Sequence, residues 1–245
     1  MSVCLVSMAI GDKYLDEYNR IFRSTQEGYA KKHGYDFRII TDYLGEVREP
    51  STISLNKILV CSQDWSLKYD FIVFVDADIL INPEAPPIHS CMDFGDKIGI
   101  VDEFTQPSFQ KRVDFNRRMN WEPNASLYYR RSGFVVQTDK MLNTGVIVMQ
   151  PAKHASFLKG IYDKYIQKSV RHPRHFHYEQ SAIGYELHVN NVFVVLPNTW
   201  NSIWYVYRYE NMSLEQFSKS INFLHFAGMG ANSGQKSYNI SALYK

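Results

Sequence analysis

Apolar residues in this chain fall into short unbroken runs that alternate with helical stripes. Val3 to Met8 is an apolar run ended by Gly11, the pattern of a strand buried on both faces. Tyr18, Ile21, Phe22, Thr25 and Tyr29 then recur at helical spacing, and His33-Gly34 predicts the stop. Phe37 to Ile40 predicts a second short strand, Ile53 to Cys61 a helix, and Phe71 to Val75 a third buried strand. Strand and helix therefore alternate up to Val75. That order predicts an α/β fold with a mostly parallel central sheet and helices on both faces.

Further along, Gly145 to Met149 predicts a strand closed by Pro151, and Phe157, Leu158, Ile161, Tyr162 and Tyr165 mark a helix over Ala155 to Ile166. Glu179 to Leu187 predicts a shorter helix, and Val192 to Leu196 and Phe223 to Phe226 predict short strands. Glu103 to Lys140 breaks this rhythm. It is rich in Arg, Lys, Asn and aromatics without clear periodicity, which suits a lid or acceptor-binding region, with a structural excursion as the alternative. No repeat or low-complexity linker interrupts the chain, so a single domain over 1–245 is expected.

Composition narrows the function. A chain of 245 residues can bury a core without disulfides or structural metal. The aromatic share of 15%, including 17 Tyr and 4 Trp, fits core packing and also the flat surfaces on which sugars and bases stack. A net charge of +2 gives no reason to expect nucleic acid or an anionic membrane as partner. Cys4, Cys61 and Cys91 have no CxxC spacing and suit a reducing compartment. The apolar start is too short for a signal peptide or membrane span. The expectation is a soluble cytoplasmic protein, bacterial or viral in style, with a fragment of a Golgi-lumen protein as the alternative.

The sharpest chemical signal is Asp76-Ala77-Asp78 at the end of Phe-Ile-Val-Phe-Val. Side chains two apart on a strand point the same way, so both carboxylates can reach one ion. Carboxyl ends of parallel strands are where open α/β sheets bind ligands. Hard oxygen donors suit Mg²⁺ or Mn²⁺, which bridge diphosphates. Against this stands the bland reading of a capping Asp76 and a solvated Asp78. His175 and His177 alternate in Arg171-His-Pro-Arg-His-Phe-His177, but nothing nearby completes a zinc set, and a loop at the site entrance is expected there.

Beyond Asp76-Ala77-Asp78, four more segments appear in a fixed order: Leu142-Asn143-Thr144-Gly145-Val146, Glu179-Gln180, Leu196-Pro197 through Asn201, and Phe223-Leu-His225-Phe-Ala-Gly228. Together they resemble retaining glycosyltransferases of the GT-A fold, families 8 and 34, the galactosyl-, xylosyl- and mannosyltransferase groups. Each motif is weak by itself, and the ordered set spans residues 3 to 228. The resemblance implies Asp76, Asp78 and His225 as ligands of Mn²⁺ or Mg²⁺. It implies a nucleotide-diphosphate sugar as donor substrate, UDP-sugars being favoured, and a glycan or glycoprotein acceptor.

The same resemblance implies roles for other residues. Ser7, Met8, Ala9 and Gly11 pass under the nucleotide, and Tyr14 stacks on its base. Lys57 and Lys236 meet phosphate. Asn143, Thr144, Gly145 and Gly228 border the donor, and Glu179 and Gln180 lie on the sugar side as the catalytic pair. Most of these positions also have ordinary structural readings: a packed histidine at 225, a strand bulge at Gly145, a helix start at Glu179. Family 8 usually carries Asp-Gln where this chain has Glu179-Gln180, and its Lys-Pro-Trp ending is missing. Two rivals remain at this point: an Asp-x-Asp metal-dependent phosphatase, and a non-catalytic sugar- or nucleotide-binding module.

Overall fold

The computed structural model describes residues 1–171, 179–208, 213–227 and 243. Its centre is a six-stranded sheet built from β1 (Val3–Met8), β2 (Asp36–Ile40), β3 (Phe71–Asp76), β5 (Ile98–Asp102), β6 (Leu142–Met149) and β7 (Phe193–Leu196), in the order β2-β1-β3-β6-β5-β7. A smaller sheet joins β4 (Ile79–Ile81), β9 (Phe223–His225) and β8 (Ser202–Ile203), with β9 in the middle. In the large sheet β1 pairs in parallel with β2 and β3, and β5 with β7. Only β6 runs against its neighbours β3 and β5. The sheet is therefore mixed and mostly parallel, as the alternating sequence pattern predicts.

Strand alternation divides the core. Cys4, Val6, Ile72, Phe74, Ile98, Ile100 and Ile147 face one apolar cluster, which the helix α5 (Pro151–Arg171) and the segment Ser54–Ser62 cover. Val3, Leu5, Val73, Val75, Val146 and Val148 face a second cluster on the other side. Burial on both faces explains why these strands read as unbroken apolar runs rather than as alternation.

Two expected helices differ in form. The first stripe splits at Phe22 into α1 (Asp12–Ile21) and α2 (Arg23–His33), and Gly34 ends α2 in the left-handed conformation at φ 67°. Ser54–Ser62 is a 3₁₀ helix rather than an α-helix. Its three-residue repeat stacks Leu55, Ile58 and Cys61 along one line into the core. The aperiodic stretch from Glu103 holds two short helices, α3 (Phe109–Arg118) and α4 (Ala125–Arg131), which bury Val113, Phe115, Ala125 and Tyr129. Their apolar stripes are too short to stand out in the sequence. The remaining helices are α6 (Gln180–Asn190), α7 (Trp204–Tyr207) and α8 (Leu214–Ser218). Among the described residues, no helix is long and apolar enough to cross a membrane.

One irregularity prepares the site. Ile100 on β5 faces Ile147, whereas the next residue, Val101, faces Asn143. Thr144, Gly145 and Val146 are thus looped out of the β5–β6 ladder, beside the carboxyl end of β3.

Candidate active site

Asp76 closes β3, and after Ala77-Asp78 the chain turns into β4 of the small sheet. There Ile79 pairs with His225 across an antiparallel ladder, and the Phe226 N–H donates to the Asp78 carbonyl at 3.0 Å. This pairing brings His225 from far along the chain. Its Nε2 lies 3.2 Å from Asp78 Oδ1 and 3.9 Å from Asp76 Oδ2. One ligand atom from each of the three residues lies within 4.8 Å of the others. The two aspartates are 27% and 31% exposed, so the cluster opens to solvent, while the imidazole is 4% exposed. Two carboxylate oxygens and an imidazole nitrogen on one side of an open position are a donor set that suits Mn²⁺ or Mg²⁺.

Beneath Asp76 lies a buried cation. Lys57 Nζ donates to Asp76 Oδ1 at 2.8 Å and to the Thr144 carbonyl at 3.3 Å, and pairs with Glu179 Oε1 at 2.7 Å. All three ammonium hydrogens therefore have protein acceptors. Burial by itself would lower the Lys57 pKa, but the charges of Asp76 and Glu179 outweigh it and raise the pKa. Burial would likewise raise Glu179, yet Lys57 and the Thr144 hydroxyl, which donates at 2.7 Å, hold it below its usual value. Asp76 is pushed up, first by desolvation, against the pull of Lys57 and His225. Burial would lower His225, but Asp78 and Asp76 raise it.

The looped-out strand forms the adjoining wall. Asn143 Nδ2 donates to Gln180 Oε1 at 3.1 Å, which links the end of β6 to the start of α6. Gly145 has a reason that the sequence did not show. A Cβ at this position would lie 2.4 Å from Cε1 of His225, so glycine is needed to admit the imidazole. On the β1 side, Met8 pairs with Asp76 and Ser7 with Val75, which puts both at the same edge; Ser7 and Ala9 are buried. Gly11 takes φ 95° as α1 begins, and Tyr14 is 63% exposed on that helix. Gly228 and Lys236 lie outside the described residues, as do His175 and His177.

Sequence reasoning missed several supports. Gln26 accepts from the Tyr18 hydroxyl at 2.9 Å and donates to the carbonyls of Ile79 at 2.9 Å and Asp76 at 3.3 Å, holding both ends of the Asp-x-Asp turn. Asn201 reaches Asn143 and His225, and Glu103 pairs with the buried Arg112. Asn201 closes a recognised motif and was discoverable from it. Gln26 and Arg112 are polar residues on otherwise ordinary helices, and nothing local announces their burial.

Solved structures share this architecture. A glycosyltransferase involved in glycosylating the major capsid of PBCV-1 superposes with a TM-score of 0.63 at 16% identity, covering 94% of this chain and 95% of its own. The galactosyltransferase LgtC, solved with donor and acceptor sugar analogs, gives 0.59 at 11% identity over 92% of this chain and 87% of its own. The bifunctional glycosyltransferase WbbM gives 0.58 at 12% identity, covering 93% of this chain and 46% of its own. These likenesses define the class: an α/β fold of the GT-A glycosyltransferase type. No curated protein matches the sequence.

The chain belongs to glycosyl transferase family 8, whose description fits residues 3–231. It is a retaining glycosyltransferase with a nucleotide-sugar donor. The phosphatase and the non-catalytic module are thereby set aside.

Proposed function

We propose that this protein transfers a hexose or pentose, with retention of configuration, from a nucleotide-diphosphate sugar to a glycan or glycoprotein acceptor. UDP-sugars are the favoured donors, and Asp76, Asp78 and His225 hold the divalent ion. The observation that carries this reading is the convergence of those three side chains, from β3, the turn after it and β9, at the carboxyl end of the sheet. When bound there, the ion supplies positive charge for the departing diphosphate.

The protein's own groups do the rest. Lys57 ties Asp76 to Glu179, so the metal-binding carboxylate and the sugar-side acid share one buried cation. Such preorganised charge needs no rearrangement as the transition state forms. Gln180, held by Asn143, lies beside Glu179 and would hydrogen-bond the sugar, while Tyr14, exposed on α1, offers its ring to the base. Lys236 and Gly228 are proposed at the donor from the family resemblance alone. The stretch 103–140 is proposed to carry the acceptor side.

A panel of UDP-glucose, UDP-galactose, UDP-xylose and GDP-mannose with Mn²⁺, scored for hydrolysis and thermal stabilisation, tests this reading. At least one UDP-sugar should be turned over with Mn²⁺ or Mg²⁺ present, and a chelator should abolish that turnover. A response to none of them overturns the donor assignment. Glu179→Gln and Glu179→Ala proteins test the sugar-side acid: undiminished transfer by both removes it from the mechanism.

A further inference from the structure

We infer that a buried chain of hydrogen bonds, starting at the Arg112–Glu103 ion pair, decides which nitrogen of His225 carries the proton and so keeps Nε2 free for a divalent cation. The inference rests on the metal role proposed for His225 and explains how that role is secured.

Two fixed groups anchor the chain. The Gly145 backbone N–H can only donate, and it meets Asn143 at 2.9 Å, so the atom it meets is Oδ1. The Glu103 carboxylate can only accept, and its Oε2 meets the other end of the same amide at 2.7 Å, so that end is Nδ2. Both anchors give Asn143 the same orientation. Its Oδ1 then takes a second hydrogen bond from Asn201 at 2.7 Å, which must come from Asn201 Nδ2. That leaves Asn201 Oδ1 facing His225 Nδ1 at 2.8 Å. An amide oxygen has no proton to give, so Nδ1 must donate. Nε2 also faces an acceptor, Asp78 Oδ1 at 3.2 Å. That carboxylate is 31% exposed and can be solvated by water, whereas Asn201 is fully buried and its oxygen has no such relief. A neutral ring therefore keeps its one proton on Nδ1 and its lone pair on Nε2.

The far end of the chain is equally constrained. Glu103 is buried, and Arg112 Nη2 and the Tyr205 hydroxyl both donate to Oε1 while Asn143 and Gln180 occupy Oε2. Arg112 is itself buried and donates to Asn116 through Nε at 2.9 Å, so it has no freedom to leave. A buried ion pair is a poor source of stability compared with apolar packing. Here it holds an acceptor-only group against Asn143. The imidazole cannot evade the result by swinging, because its Cε1 packs against Gly145 where even a methyl group would not fit.

These are positioning residues, and the test reads the proton and the metal directly. Nitrogen NMR of ¹⁵N-histidine-labelled, metal-free protein at alkaline pH should show His225 with its proton on Nδ1. In Glu103→Gln protein, Arg112 draws the amide oxygen toward itself and turns the NH₂ toward Asn143. The Nδ1–H form should then give way to a mixture, and Mn²⁺ affinity by titration should fall about 10- to 100-fold. Asn201→Ala should do the same from the near end. A proton on Nε2 in the wild-type protein overturns the inference, and so does wild-type Mn²⁺ affinity in both folded variants. If the variants fail to fold, the wild-type spectrum alone still decides. Neither readout uses a sugar donor, so a protein inert toward every nucleotide sugar would sink the proposed transfer while these results still judged the hydrogen-bond chain.

Discussion

Two acidic clusters lie close together in this fold and are built on opposite principles. Asp76 and Asp78 sit at a strand tip, about a third exposed, with an imidazole beside them. Glu103 sits at the other end of the Asn143 wall, 5% exposed, with donors on both oxygens. The first cluster opens to solvent, where an ion can reach it. The second is closed off, with protein donors on both carboxylate oxygens, which is what a scaffold requires. Acidity by itself therefore does not mark a metal site; carboxylates and an imidazole converging on the open side of the sheet do.

Substitutions should separate the two clusters. Asp78→Ala should lower sugar transfer on the order of 10²–10⁴-fold and abolish tight Mn²⁺ binding while leaving the melting temperature nearly unchanged, because a carboxylate about a third exposed is no structural anchor. Arg112→Met should do the reverse first. It leaves the Glu103 charge buried without its partner, and chemical denaturation should show a loss of about 3–5 kcal/mol. The double variant Glu103→Met, Arg112→Met should recover part of that loss, but not Mn²⁺ affinity. If Asp78→Ala unfolded the protein, or Arg112→Met left its stability intact, the contrast would fail.

Smaller effects sharpen the boundary between the clusters. Gly145→Ala pushes on the His225 ring, since the new Cβ would lie 2.4 Å from Cε1. It should cost about 1–3 kcal/mol in stability, and calorimetric titration should show weaker Mn²⁺ binding. Asp102 stands next to Glu103 and gives a pH signature. Burial, opposed by hydrogen bonds from the Phe104 and Met141 N–H groups, raises its pKa from 3.8 to about 6. The unfolded chain loses this proton first, so the folded state binds more protons between those values. Stability should therefore fall as pH rises from about 4 to about 6 and then level off. Asp102→Asn keeps the acceptor oxygen and stays neutral. It should flatten that fall and be more stable than the parent at neutral pH by roughly 1–3 kcal/mol, read by denaturation at two pH values.

Much of the molecule was legible without coordinates, and the reason differs by element. β1 and β3 are buried on both faces, so their apolar runs are long and unambiguous. Asp76-Ala77-Asp78 announces itself because two carboxylates on one side at the end of such an apolar run stand out in the sequence. β4 and β8 went unseen because strands as short as Ile79–Ile81 and Ser202–Ile203 carry too few residues to set a period. The helix α3 was hidden because buried Arg112 and Asn116 break its short apolar stripe, and α4 because its seven residues bury only Ala125 and Tyr129.

The sequence by itself determined the alternation of strands and helices, the carboxylates at the tip of β3 and the family motifs in their order. All of these are written in neighbouring residues. Only the tertiary structure decided that His225 meets Asp78, that Lys57 is consumed by Asp76 and Glu179, and that Gly145 makes room for an imidazole. Each of those facts is a contact between distant segments. Their positions are set by strand register and by the matching of buried donors to acceptors, which no local pattern of residues encodes.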